Sequence, residues 1–218
     1  MPYTRQQLRD LARRRLGDLT PPYQWSDLQL NQWLNDAIAD FSVYMPRLLE
    51  VTFDTTPGQQ EYTLQGDVRR LVKVEYPLRA GGTPPENILR PADSRRVEFL
   101  YVSGFYDYED GLQRLYLSGH VPGGECRCTY LTDHAYLADD ADECSLPERH
   151  FEAPLLYVRW AANQELASHE AANPDPSSLA MGTLELNASR AERAYRKTIE
   201  EYLRAEARSA WVRWDSCW

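Results

Sequence analysis

The spacing of apolar residues changes twice along this chain, and no other feature limits its fold as much. Up to about residue 49, and again from 145, they recur every three or four positions, the period of a helix with one buried stripe; between 50 and 144 they mostly alternate, the period of a strand. Helices flanking a β segment on both sides leave their stripes wet unless they pack against each other. The sequence therefore predicts an α+β fold: an antiparallel helical bundle of two N-terminal and two C-terminal helices with an inserted, mainly antiparallel β unit. The segments are 1–49, 50–144 and 145–208, followed by an aromatic tail over 209–218 that reads as a partner-docking segment.

Thr4 and Gln7 have the spacing of a capping box, and Leu8, Leu11, Ala12 and Leu16 follow as one stripe that Gly17 stops, with Arg5, Arg9 and Arg13 on a different face. Trp25, Ser26, Gln29 and Leu30 combine a capping box with a hydrophobic staple. They open a helix whose stripe runs through Leu34, Ala37, Ile38, Phe41 and Met45 and stops at Pro46. Further on, 51–55 and 61–64 read as a hairpin turned at Pro57-Gly58. Residues 70–76 form a third strand, with Leu71, Lys73 and Glu75 on one side and Val72, Val74 and Tyr76 on the other. A Gly/Pro-rich loop covers 80–85, residues 97–108 suit either a short helix or a strand, and 112–117 with 126–131 reads as a last hairpin. Helical spacing resumes with Ser145 as cap and Pro147 in the first turn, then Phe151, Leu155, Val158, Ala162 and Leu166. A final helix starts near Ser178 and runs past Arg208 on Leu184, Ala188, Ala191, Tyr195, Ile199 and Tyr202.

Chemistry is sparse. The 218 residues carry a net charge of −9, which argues against a surface built to grip nucleic-acid phosphates. No stretch approaches the roughly 20 apolar residues that span a bilayer, and the N-terminus lacks the apolar core of an export signal, so synthesis in a cytoplasm and no membrane association are expected. His120, His134, His150 and His169 stand apart without metal-site spacing. Cys126 and Cys128 with Cys144 and His134 could in principle ligate zinc, but C-x-C on a strand lacks the turn of a zinc knuckle. Asp139, Asp140, Asp142 and Glu143 lack the glycine and spacing of a calcium loop and read as a solvated loop charging the next helix. No phosphate-cradling or nucleophile-elbow motif occurs. The expectation is a protein that is not an enzyme, with no catalytic residue, metal or cofactor.

Both ends are basic: residues 1–20 hold five arginines against two acids, and 190–218 hold seven Lys and Arg against five acids, so the middle carries the acidic excess. That polarity suits a head-to-tail contact between copies, with Arg5, Arg9, Arg13, Arg193 and Lys197 as candidate subunit–subunit residues; the alternative is that exposed helices simply carry both signs. Trp211, Trp214 and Trp218 form one helical stripe at the C-terminus, either finishing their own bundle or anchoring a partner together with Val212 and Arg213. A second functional class, a DNA-binding regulator, would use Arg5, Arg9, Arg13, Arg14 and Arg15.

Several motifs carry a resemblance. Arg15-Leu16-Gly17-Asp18, then Trp25-Ser26-Asp27, then Leu34-Asn35-Asp36-Ala37, and later Pro57-Gly58-Gln59-Gln60-Glu61-Tyr62-Thr63-Leu64, resemble the head-tail connector (adaptor) proteins of tailed bacteriophages. The usual proline after the last motif is replaced by Gln65-Gly66-Asp67. The likeness covers 4–76 in motifs and 145–205 in helix order. It implies a structural virion protein of the neck, made in the host cytoplasm, forming a homo-oligomeric ring of usually twelve copies around a DNA channel. DNA would pass without sequence-specific binding. The portal would sit above and tail, stopper or nozzle proteins below; the ring would complete the head after packaging and give the tail its platform. It further implies a C-terminal segment docked on the portal, which would suit Trp211, Val212, Arg213, Trp214 and Trp218.

Overall fold

The computed structural model describes residues 2–64, 68–78, 88–91, 105–109, 114–117, 123–173 and 178–215. Within them the elements run α1 (Arg5–Leu16), α2 (Asp27–Tyr44), β1 (Arg47–Thr55), β2 (Glu61–Thr63), β3 (Arg70–Glu75), β4 (Ile88–Pro91), β5 (Phe105–Glu109), β6 (Arg114–Leu117), β7 (Gly124–Thr132), a 3-10 turn (Glu148–His150), α3 (Glu152–Ala171) and α4 (Ser178–Asp215). The fold class is α+β, as the sequence predicts. The chain divides into two compact units, Met1–Met45 with His134–Trp218, and Pro46–Asp133.

In the helical unit both predicted capping boxes form, Thr4 with Gln7 and Ser26 with Gln29. Gly17 ends α1 at φ 76°, a conformation that costs a side chain with a Cβ, and its amide reaches back to the Arg13 and Arg14 carbonyls. Leu8, Ala12, Leu30, Leu34, Phe41 and Val158 lose all contact with water in one shared core, joined by Leu155, Ala162, Tyr195 and Ile199. The predicted stripes of α2 and α3 are thus the buried ones. On α4 burial is confined to Ala191, Tyr195 and Ile199, with Tyr202 partly covered, whereas Leu186 and Leu203 are exposed.

The start of α3 differs from expectation. Ser145 caps nothing: its hydroxyl meets His134 Nδ1 at 2.9 Å, and the helix begins only after the 3-10 turn, at Glu152. Pro154, not Pro147, occupies the first turn, where a missing N–H removes no helical bond.

The β unit carries a seven-stranded sheet in the order β1-β7-β3-β4-β5-β6-β2, antiparallel except where β4 meets β5. Neither predicted hairpin exists. Thr56–Gln59 do turn, with Gly58 at φ 80° and Gln59 N–H donating to the Thr56 carbonyl at 3.0 Å, but β1 pairs with β7 over nine residues and β2 pairs with β6. Likewise β6 hydrogen-bonds to β2 and β5, not to β7. The third strand is irregular: a register shift between Leu71 and Lys73 ejects Val72 to 49% exposure, so Leu71 and Val74 share the core side. A bulge of this kind breaks the strict alternation on which the sequence reading relied. Of the ambiguous stretch, 105–108 is strand; the remainder of 97–108 and the 80–85 loop lie outside the described residues.

Strands from both ends of the sheet supply one core of Tyr62, Leu71, Val74, Leu115, Leu117, Cys126, Cys128 and Tyr130. The rings of Phe53 on β1 and Tyr62 on β2, the two edge strands, lie 5.3 Å apart, so the sheet curls until its edges meet through side chains. Among the described residues no backbone ladder joins them.

Candidate functional site

The arginine row of α1 points inward. Arg9 clamps the Asp140 carboxylate with two bonds of 2.9 Å, Arg5 meets the same carboxylate at 2.8 Å, and Arg5 also donates to the Leu137 and Ala138 carbonyls. Arg13 is buried against Asp18, Asp27 at 2.6 Å and the Trp25 carbonyl at 3.0 Å, with its guanidinium 4.0 Å above the Tyr23 ring. Arg15 pairs with Glu152 at 2.6 Å. The two arginines hold Asp140 well below the usual carboxylate range, at about 2. This cluster joins α1 to α2 and to the 139–143 loop; it leaves Arg5, Arg9 and Arg13 with partners inside their own chain.

The acidic run thereby has a different part from the one its composition suggests. The Asp142 and Asp140 carbonyls accept the Arg5 and Gln6 amides, Thr4 Oγ1 accepts the Gln7 amide, and the otherwise orphaned first turn of α1 is satisfied. Asp142 holds the loop itself, accepting from the Ala138 and Asp139 amides at 2.7 Å each. The loop thus closes the start of α1, 135 residues back along the chain, and does not simply charge the helix that follows.

Of the motif residues behind the resemblance, Asp18 and Asn35 prove to be joints of the helical unit, while 57–64 lies in the β unit. Asp18 receives Arg13 and the Gln24 and Trp25 amides. Asn35 exchanges two hydrogen bonds with the backbone of Leu137, at 2.9 and 3.1 Å. Tyr195 on α4 donates its hydroxyl to Asp40 on α2, and burial with that carboxylate raises the phenol far above its ordinary range.

Two histidines flank Phe41, with ring centroids 5.8 Å (His134) and 5.5 Å (His150) away. His134 Nε2 faces the Met45 carbonyl at 3.1 Å, which can only accept, so that nitrogen carries the proton. His150 is buried against Tyr202, and its Nδ1 has no partner. Burial, helped by Arg149, pushes the His150 imidazole below its usual value. The neutral form is then favoured in the folded state, and stability that is full above about pH 6.5 falls as pH drops, because the unfolded chain takes up a proton the folded one refuses. Urea titrations at pH 7.5 and 5.5 are expected to show this loss, and His150→Gln is expected to shrink the difference between the two.

Among the described residues, no group of three His, Cys, Asp or Glu could hold a metal ion, and no helix is long and apolar enough to cross a membrane. Cys126 and Cys128 are buried side by side in the β core, where each other's thiol and burial push Cys128 up. A cleft of about 190 Å³ lies between α2, α3 and α4, lined by Asp40, Tyr44, Trp160, Tyr195, Arg196 and Leu203, and the Tyr195–Asp40 hydrogen bond lies in its wall. The remaining candidates lie on α4. Arg193 and Lys197 are exposed, and their polar partners among the described residues, Ser189 and Glu201, lie on the same helix. Residues 211–214 belong to the α4 backbone, their side chains and Trp218 lying outside the described structure.

A family model described as SU10 adaptor protein matches residues 3–214, nearly the whole chain and both compact units. The chain belongs to the SU10 adaptor protein family. SU10 adaptors are structural phage proteins, which is not an enzyme class, and the membership makes the chain a virion component that contacts other phage structural proteins. In this SU10 adaptor the motif residues Asp18 and Asn35 hold segments of the helical unit together. No curated protein matches the chain at a significant level.

Proposed function

We propose that the chain is one subunit of a ring, of twelve copies, that sits beneath the portal in the phage neck, closes the head after DNA packaging and presents the platform for tail, stopper or nozzle proteins. The observation that carries this reading is the family match across 3–214. The tail supplies the portal contact through Trp211, Val212, Arg213, Trp214 and Trp218, since aromatic and arginine side chains are the usual anchors of protein interfaces. A ring needs unlike faces of one subunit to meet. Arg193 and Lys197, exposed on α4, support that contact, while Arg5, Arg9 and Arg13 are held by Asp140, Asp18 and Asp27. The same internal pairing takes the cationic row away from a duplex, and a net charge of −9 suits a channel through which DNA slides.

Electron microscopy of the chain mixed with rings of its own phage's portal is the test. A second ring stacked on the portal is expected with the full chain, and its loss when 209–218 is deleted. A full chain that leaves the portal rings bare overturns the proposal.

A further inference from the structure

β1 is an edge strand. Over nine residues, Arg47–Thr55, it bonds to β7 in unbroken register, and among the described residues no strand pairs with its other side. Natural sheets blunt such edges with proline, bulges, short strands or charges pointing into the core. β1 has none of these and is guarded only by the exposed charges of its outer face: Pro46 precedes it, and Leu49, Val51 and Phe53 face the core and stay half-buried.

The opposite face tells what kind of strand fits. Glu50 and Asp54 alternate there, exposed, and Asp54 stands directly opposite Glu125 of β7, a like-charge pair that disfavours the bare edge. Among the described residues none of the three has an ion-pair partner; Arg127, opposite Thr52, reaches toward Glu75 at 3.8 Å. A second copy of β1 is a poor occupant. Antiparallel self-pairing that keeps the apolar faces together sets Glu50 opposite Glu50, opposite Asp54, or diagonal to Glu50, and slipping further brings the two Asp54 together.

We propose that β1 is a docking edge for an extended segment of another protein, added as an eighth strand, whose side chains alternate between apolar residues on the core side and Lys or Arg facing Glu50, Asp54 and Glu125. Backbone bonds would give the affinity and the basic positions the selectivity, the logic of strand addition. The edge can accept such a strand whether or not the chain forms a ring under a portal.

Fluorescence anisotropy with labelled synthetic nonapeptides tests this: one alternating valine with lysine, one alternating valine with glutamate, and a lysine version with its alternate backbone amides methylated on the edge that would bond. The lysine peptide is expected to bind the full chain at least tenfold more tightly than either of the others. The surface variant Glu50→Lys/Asp54→Lys is expected to reverse the charge preference while keeping the parent circular dichroism spectrum. Equal binding of lysine and glutamate peptides, indifference to methylation, or no binding overturns the proposal. So does concentration-dependent dimerisation in sedimentation that competes with the peptide, which would make a second copy the occupant.

Discussion

Replacing Asp18 with alanine is expected to lower the unfolding free energy by about 3–5 kcal/mol, the range for removing one partner of a buried ion pair. Asp18 is almost fully buried and gathers three donors: the Arg13 guanidinium and the amides of Gln24 and Trp25. Its loss leaves two amides without an acceptor and a buried cation with only the exposed Asp27 to balance it. Since domains of this kind are stable by roughly 5–15 kcal/mol, the variant should unfold at a much lower urea concentration. Asp18→Asn, which can still accept, should lose less, and Asp10→Ala, on the exposed side of α1, should stay within about 0.5 kcal/mol. Equal loss from the asparagine and alanine variants would mean the charge, not the acceptor geometry, carries the effect.

Phe41→Ala is the second large effect, again about 3–5 kcal/mol, from lost transfer energy together with the cavity left behind. The ring has no exposure and stands between His134, His150 and Tyr202, so it is the surface on which the C-terminal half of the described α4 core rests. Helix α4 is buried at few positions, and Tyr202 is among the last of them. Hydrogen exchange should therefore show residues 195–206 losing protection out of proportion to the rest of the helical unit. Uniform loss across α1 to α4 would contradict this placing of the weak point.

How far the sequence could be read follows from the range of each interaction. Capping boxes at Thr4 and Ser26, and the stripes of α2 and α3, are set by residues within two helical turns, and they form as read. Alternation shows which face of a strand is apolar but not which strand lies beside it. Hence the pattern points β1 to its nearest neighbour in sequence, whereas its partner β7 is distant, and the bulge that turns Val72 outward leaves no mark in the pattern. The α1 arginines misled for the same reason. At helical spacing they look like a solvated face, and only the return of the chain at Asp140 shows that they point inward. Ser145 satisfies every local rule for a cap, yet His134 takes its hydroxyl first. Of the candidate site, the tryptophan stripe is legible as a pattern because Trp211 and Trp214 are three apart, while local spacing does not say what it packs against.

His134 gives the architecture a practical consequence. Its amide donates to Ser42 and its ring to the Met45 carbonyl, so the point where the chain returns to the helical unit is tied to the point where it leaves. The intervening residues thus depart from and come back to one fastened spot, as a drawer does from its frame. A short splice from Met45 to His134 needs to bridge almost no distance, so the β unit could be exchanged by an engineer without redesigning the helices.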